Sequence, residues 1–169
     1  METVIRGGSI DVAGQTAIIN SNAMWHDLDR NTANWYEVMT GNNGFMRSHI
    51  TNAAGLVKTG RNNIYLETSN EITGNIVVSE QGSIIARHPG ALGAGGAGRE
   101  VQVGGGSAFL LEYGTNIEGV DVRATNTLQT SATVLRNEGT THSTWLGNVI
   151  LDVADGYGTS EFQDYIITA

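Results

Sequence analysis

The chain has 169 residues, 40% of them hydrophobic, enough for one domain with a continuous core and too few for a second full one. Its 9 Lys plus Arg against 17 Asp plus Glu leave a net charge of −8, which repels phosphate backbones and anionic lipid and so argues against nucleic acid and membrane surfaces as partners. With no cysteine, disulfides, thiol catalysis and thiolate metal sites are excluded together.

Charged residues make up only 15%, against about a quarter in an average domain, and glycine reaches 23. That balance belongs to turn-rich β structure with uncharged, hydrogen-bonding surfaces. No window approaches the ~18 apolar residues of a membrane span, and the N-terminus has neither a basic start nor an apolar run of signal type. A soluble chain without a secretion signal is the expectation.

In chain order, Thr3–Arg6, Ser9–Val12 and Ala17–Ile19 read as short strands separated by Gly7-Gly8 and Gly14-Gln15. The polar stretch from Asn22 to Asn34 reads as a loop, with Asp27 placed to cap a single helical turn over Leu28 to Ala33. Trp35 to Thr40 and Phe45 to Thr51, around Gly41-Asn42-Asn43-Gly44, have the form of a β-hairpin. Leu56 to Thr59 and Asn63 to Glu67, around Gly60-Arg61-Asn62, have the same form. The tags Thr40-Gly41-Asn42-Asn43 and Thr59-Gly60-Arg61-Asn62 hint at a repeat.

Asn75 to Val78 and Gly82 to Ala86 look like buried strands, and residues 89 to 106, with Pro89 and two glycine clusters, look like a loop holding one strand near Arg99 to Val103.

Beyond the loop the chain repeats itself. Ser107 to Asn116, running on into Gly119 to Ala124, is echoed by Ser131 to Thr140, running on into Val149 to Ala154. The offsets, Ser107 to Ser131 and Asp121 to Asp152, have the size of one turn of a stacked solenoid. Alternation within each copy turns Val120, Val122 and Ala124 to one side and Asp121 and Arg123 to the other.

Several groups carry chemistry in principle. Asp121 and Asp152 occupy matching places in the two copies, so in-register strands would bring two carboxylates together on one outer face, at the separation glycoside hydrolysis uses. His26, Asp27 and Asp29, and separately Asp152, Asp155 and Glu161, are oxygen and nitrogen ligand types without the order of a calcium loop. His26, His49, His88 and His142 make no zinc spacing. Gly93, Gly95 and Gly98 match a dinucleotide fingerprint in letters only, because a strand and not a helix follows them. Trp25, Trp35, Tyr36 and Phe45 read as a small aromatic core or a sugar-stacking platform, and Tyr157, Phe162 and Tyr165 as a cap or a subunit contact. The sequence therefore assigns no catalytic, cofactor-binding or metal-ligating residue, and no cofactor.

The phrase Asn116-Ile117-Glu118-Gly119-Val120-Asp121-Val122-Arg123 resembles the recurring turn-and-strand unit of right-handed parallel β-helix proteins, including polysaccharide lyases and bacteriophage tailspikes. In texture the chain is similar to phage virion β-structural proteins of the tailspike, fibre and capsid decoration types. The fold expectation is all-β: a short right-handed parallel β-helix or solenoid with N-terminal β-hairpins, with a jelly-roll or β-sandwich as the alternative. One domain spans residues 1–169, divided into a hairpin subregion 1–70 and a solenoid-like subregion 71–169. The resemblance implies a non-enzymatic viral structural protein: a capsid decoration or tail appendage module located in the virion, forming a homotrimer and docking on other virion proteins or a host glycan. The alternatives are a polysaccharide-degrading module using Asp121, Asp152 or Arg123, and a carbohydrate-binding adhesin using the Trp25 and Trp35 region.

Overall fold

A computed structural model describes residues 2–21, 43–104, 106–125, 131–138, 140–152 and 164–168. Its strands, in chain order, are β1 (Glu2–Asp11), β2 (Thr16–Asn20), β3 (Asn43–Thr51), β4 (Gly55–Thr59), β5 (Asn63–Leu66), β6 (Ile76–Val78), β7 (Ser83–Ala86), β8 (Glu100–Val103), β9 (Ala108–Glu112), β10 (Asn116–Glu118), β11 (Asp121–Ala124), β12 (Ser131–Glu138), β13 (Thr144–Leu146), β14 (Val149–Leu151) and β15 (Asp164–Thr168). Among the described residues there is no helix, and hence none long and apolar enough to cross a membrane. The protein is all-β.

From β1 to β9 the chain steps back and forth between two sheets. The first is seven-stranded, in the order β1-β3-β5-β7-β9-β12-β15, and the second six-stranded, in the order β14-β11-β8-β6-β4-β2. β10 and β13 form a small third sheet between these steps. Among the described residues every strand pairing is parallel, and from β3 to β7 consecutive partners lie 20 residues apart, as in Phe45 opposite Tyr65 and Tyr65 opposite Ile85.

Alternation decides which side chains face inward. Leu56, Ile76, Val101 and Val122 fall opposite one another along the second sheet and are each 0% exposed. Inward residues of both large sheets, from Ala17 to Leu135, merge into one hydrophobic cluster. Burying each such side chain contributes about 1.5–3 kcal/mol. Two polar residues sew the turns above this core. Buried Asn70 accepts from the Ile50 amide at 2.9 Å and donates to the Ala91 carbonyl at 2.7 Å. Arg99, also buried, donates to the carbonyls of Gly74, Leu92 and Ala94. Burial lowers the Arg99 pKa from its ordinary value, and those carbonyls satisfy the donors it removes from water.

Several expectations hold. Val120, Val122 and Ala124 are buried while Asp121 and Arg123 face outward. The strands expected at 75–78, 82–86 and 99–103 are β6, β7 and β8. Thr3–Arg6 and Ser9–Val12 are one strand rather than two, because Gly7 and Gly8, both at positive φ, form an irregularity that β1 carries without leaving the sheet.

Other expectations are corrected. Leu56 to Thr59 and Asn63 to Glu67 form no hairpin: β4 lies in the second sheet and β5 in the first, and each pairs in parallel only with more distant strands, β4 with β2 and β6 and β5 with β3 and β7. The turn at Gly60, with φ +85, redirects the chain from one sheet to the other. For the other expected hairpin, the Trp35 to Thr40 arm lies outside the described residues, while β3 pairs in parallel with β1 and β5. Jelly-rolls and β-sandwiches are antiparallel architectures, so neither describes these sheets. The repeat registers also shift. Phe109 lies opposite Leu135 rather than Thr133, and Val122 opposite Val149 rather than Val153.

A buried charge reports this assignment directly. Val122→Asp places an unpaired carboxylate in the core and lowers stability by about 3 kcal/mol or more in urea denaturation; a loss below about 1 kcal/mol would contradict the inward placement of Val122.

Candidate functional site

The outer face of the first sheet carries a column of charges set by the parallel register. Arg6 lies opposite Arg47, and the column continues through Glu67, Arg87 and Glu112 to Glu138. Glu67 is held between two guanidiniums, with Arg47 Nε on one oxygen and Arg87 Nη1 at 2.8 Å on the other. Arg87 reaches on to Glu112 at 2.5 Å through Nε. Burial pushes the Glu67 carboxyl up, yet the hydrogen bonds from Arg47 and Arg87 prevail and hold it below the usual carboxylate range. For Arg87, the hydrogen bonds it donates to Glu112 and Glu67 outweigh the effect of burial and raise its pKa.

Beside this ladder runs an apolar column. Phe45 and Tyr65 stack at 4.7 Å with their planes 10° apart, and the Arg87 guanidinium lies 4.0 Å above the Tyr65 ring and 4.8 Å from Tyr113. Stacking and cation–π attraction thus act along the same direction as the ion pairs. Burial, then the Glu112 charge, raises the Tyr65 pKa.

On the second sheet, the Arg123, Asp121 and Asp152 of the sequence reading come close together, in a different arrangement from the expected one. Arg123 binds Glu100 through Nε at 3.0 Å and Nη2 at 2.8 Å, and binds Asp152 through Nη1 at 2.6 Å. Asp121 does not share a register position with Asp152. It lies one step before Val122, level with Asn148, and its Oδ1 accepts from the Asn148 amide at 2.8 Å and side chain at 3.0 Å. The hydrogen bond from Arg123 lowers the Glu100 carboxyl below its ordinary value, and the bonds to Glu100 and Asp152 raise that of Arg123. Glu100 is therefore held as an ionised acceptor. A general acid for glycoside cleavage requires a raised pKa, the opposite shift from that of Glu100.

Sequence reasoning missed Lys58. It occupies an inward position of β4, opposite Val78, with 0% exposure. Its ammonium donates to the Gly60 carbonyl. Desolvation lowers its pKa from 10.5 to about 8, against the opposing attraction of Glu80. Gly82 packs so closely on the ammonium that a Cβ there would overlap it. The signal was available: in Leu56-Val57-Lys58 the alternation that buries Leu56 also turns Lys58 inward.

A groove of about 1060 Å³ follows the turns beside Arg99 and is lined by small and polar residues, including Asn52, Ser69, Glu71, Thr73 and Gly95. Gly93, Gly95 and Gly98 lie in irregular backbone before β8, without a helix to face a phosphate. His49 Nδ1 is 2.7 Å from the Ser69 carbonyl oxygen, and His88 Nδ1 accepts from the Gly90 amide at 2.9 Å. No group of three or more metal-ligating side chains occurs among the described residues. Trp25, His26, Asp27, Asp29, Trp35, Tyr36, Asp155, Tyr157, Glu161 and Phe162 lie outside the described residues, as does the expected helical turn over Leu28 to Ala33. No protein-family model, curated protein or solved structure matches this chain.

The shared ladder makes Glu67 worth more than a surface ion pair. Glu67→Ala removes two charge-assisted contacts and costs about 2 kcal/mol at pH 7. Because the folded pKa of Glu67 is lowered, its stabilisation is present above the unfolded carboxylate range and is lost as pH falls through the folded value. The wild-type advantage over Glu67→Ala therefore disappears in acid, measured by urea denaturation at pH 7 and pH 2. A constant difference would contradict the ladder.

Lys58 has the reverse dependence. Its folded pKa of about 8 lies below its unfolded value of 10.5, so the protonated form opposes folding and stability rises as the pH goes up through this window. Relative to Lys58→Met, the wild type gains about 2.5 kcal/mol between pH 7 and pH 10. Parallel stability curves would show that Lys58 reaches solvent.

Proposed function

We propose that the chain is a short right-handed parallel β-helix that serves as a non-enzymatic structural module of a virion, a capsid decoration or tail appendage acting as a homotrimer. The fold half of this reading is supported by the regular return of the chain to each parallel sheet. Parallel strands joined by crossovers are right-handed in ~98% of cases.

The observation that carries the functional half is the use made of charge on the outer faces. Glu67, Glu100 and Glu112 are bound to arginines on neighbouring strands, and so is Asp152. Such pairs tie neighbouring strands together and resist their separation. A cysteine-free structural protein gains durability this way, and the reading accords with the low content of charged residues. The polysaccharide-degrading alternative, which used Asp121, Asp152 or Arg123, is less favoured because Asp121 is turned to Asn148 and Asp152 to Arg123.

Light scattering on dilute protein tests the reading: it expects a unit mass three times the 17.9 kDa of the chain and no cleavage across a panel of acidic and neutral polysaccharides. A monomeric unit would overturn the trimer, and a cleaved polysaccharide would overturn the structural role.

A further inference from the structure

The arginines of this protein are used in two ways. Arg47, Arg87, Arg123 and Arg136 each hold a carboxylate on an outer face. Arg99 does not. It is 7% exposed, and its side chain bonds to neutral acceptors alone: the Gly74 carbonyl at 3.0 Å, the Leu92 carbonyl at 2.8 Å and the Ala94 carbonyl. Burial by itself lowers its pKa, with no carboxylate acting on it. Carbonyls satisfy the N–H groups of a guanidinium but leave its unit charge uncancelled. In a chain of net charge −8, Arg99 is a buried cation without a counter-ion.

The backbone around Arg99 is oriented by that charge. A trans peptide sets its C=O and N–H on opposite sides, so the Ala94 carbonyl that turns in to Arg99 turns the Gly95 N–H away from it. The Gly96 carbonyl accepts from the Arg99 amide at 3.2 Å, and the Ala97 N–H is turned the other way for the same reason. Gly95 and Ala97 are exposed, and neither amide has a hydrogen-bond partner among the described residues. The loop encloses the guanidinium with carbonyls and leaves N–H groups on its opposite side, where peptide dipoles and the buried charge both favour an anion.

This loop is one bank of the groove of about 1060 Å³ beside Arg99, a volume suited to a small organic ligand. The neighbouring turns bring Asn52, Ser69 and Glu71 to the same groove. The Asn52 side chain and the Ser69 hydroxyl are exposed and make no hydrogen bond among the described residues. Glu71 accepts from the Asn52 amide at 3.3 Å through one oxygen and keeps its charge in the groove. One negative charge on a ligand is drawn to the Arg99 side, and a second is repelled by Glu71. Neutral hydroxyl groups suit Asn52 and Ser69, which both donate and accept.

We propose that this groove binds a hydroxylated monocarboxylate, with the carboxylate on the Gly95 and Ala97 amides over Arg99 and the hydroxyl groups on Asn52 and Ser69. The site uses Arg99 as a fixed source of positive potential and not as a direct ligand, since its side chain is occupied by carbonyls. It is independent of the structural role in a virion, because neither the mass of the assembly nor the fate of a polysaccharide enters it.

Gluconate and sorbitol, which differ in a terminal carboxylate, are the probes, added to the full chain at constant ionic strength while amide NMR resonances are followed. Gluconate moves the Gly95 and Ala97 resonances saturably within the millimolar range, and sorbitol and sulfate bind markedly more weakly. Glu71→Gln keeps the oxygen that accepts from Asn52 and removes the competing charge, so gluconate binds about fivefold more tightly, the scale of one unit charge acting across a solvated groove. Ala97→Glu, at an exposed position, places a carboxylate beside the amides and abolishes binding; circular dichroism shows that both variants keep the fold. A flat gluconate titration overturns the proposal. So does sorbitol binding as tightly as gluconate, which would make the charge irrelevant, or sulfate doing so, which would remove the preference for a single charge. Unchanged affinity in Glu71→Gln overturns it as well.

Discussion

Parallel pairing in register obliges every side chain to share a column with the residues of neighbouring strands, about 4.8 Å away on either side. Like charges in such a column repel and unlike charges bind, so the choice at one strand constrains the next. Between the like pairs Arg6–Arg47 and Glu112–Glu138, the stretch Arg47, Glu67, Arg87 and Glu112 alternates in sign, as do Glu100, Arg123 and Asp152 on the second sheet. Inside, the same rule makes columns of β-branched and leucine side chains. Lys58 interrupts an apolar column with a charge, and its depressed pKa records the cost of doing so.

This constraint explains how much of the fold was legible. The sides of the strands could be read because alternation has a period of two, and errors in the repeat left it intact. The sequence alignment set Ser107 against Ser131 and Asp121 against Asp152. The observed registers, Phe109 to Leu135 and Val122 to Val149, differ from it by two and four residues. Even differences preserve inward and outward faces, so Val122 was placed correctly while Asp121 was given the wrong neighbour. A column is settled by packing with strands 20 or more residues away, which local spacing does not encode.

The hairpin reading failed for a related reason. Gly60-Arg61-Asn62 has the length and chemistry of a hairpin turn, and nothing local distinguishes a turn that folds a strand back from one that sends it to another sheet. What distinguishes them is the partner. Ser21 is buried against this turn, and its hydroxyl donates to the Asn62 carbonyl at 2.7 Å. Gly60 donates to Glu80 at 2.8 Å. Both partners are about 20 or more residues distant. Arg99 and Asn70 were illegible likewise, since their roles depend on carbonyls of turns that only the fold brings together. Interior strands satisfy their backbone and bury their side chains through neighbours that only the fold supplies.

The register itself is the claim on which the columns and the ladder rest, and the absence of native cysteine makes it directly measurable. Val57 and Val77 are register partners on the outer face of the second sheet, at a spacing compatible with a disulfide. Under mild oxidation a Val57→Cys/Val77→Cys chain should close an intramolecular bond, while Val57→Cys/Ser79→Cys, displaced by two residues along the strand, should remain reduced. Closure of the displaced pair with the register pair left open would contradict the parallel register and the account built on it.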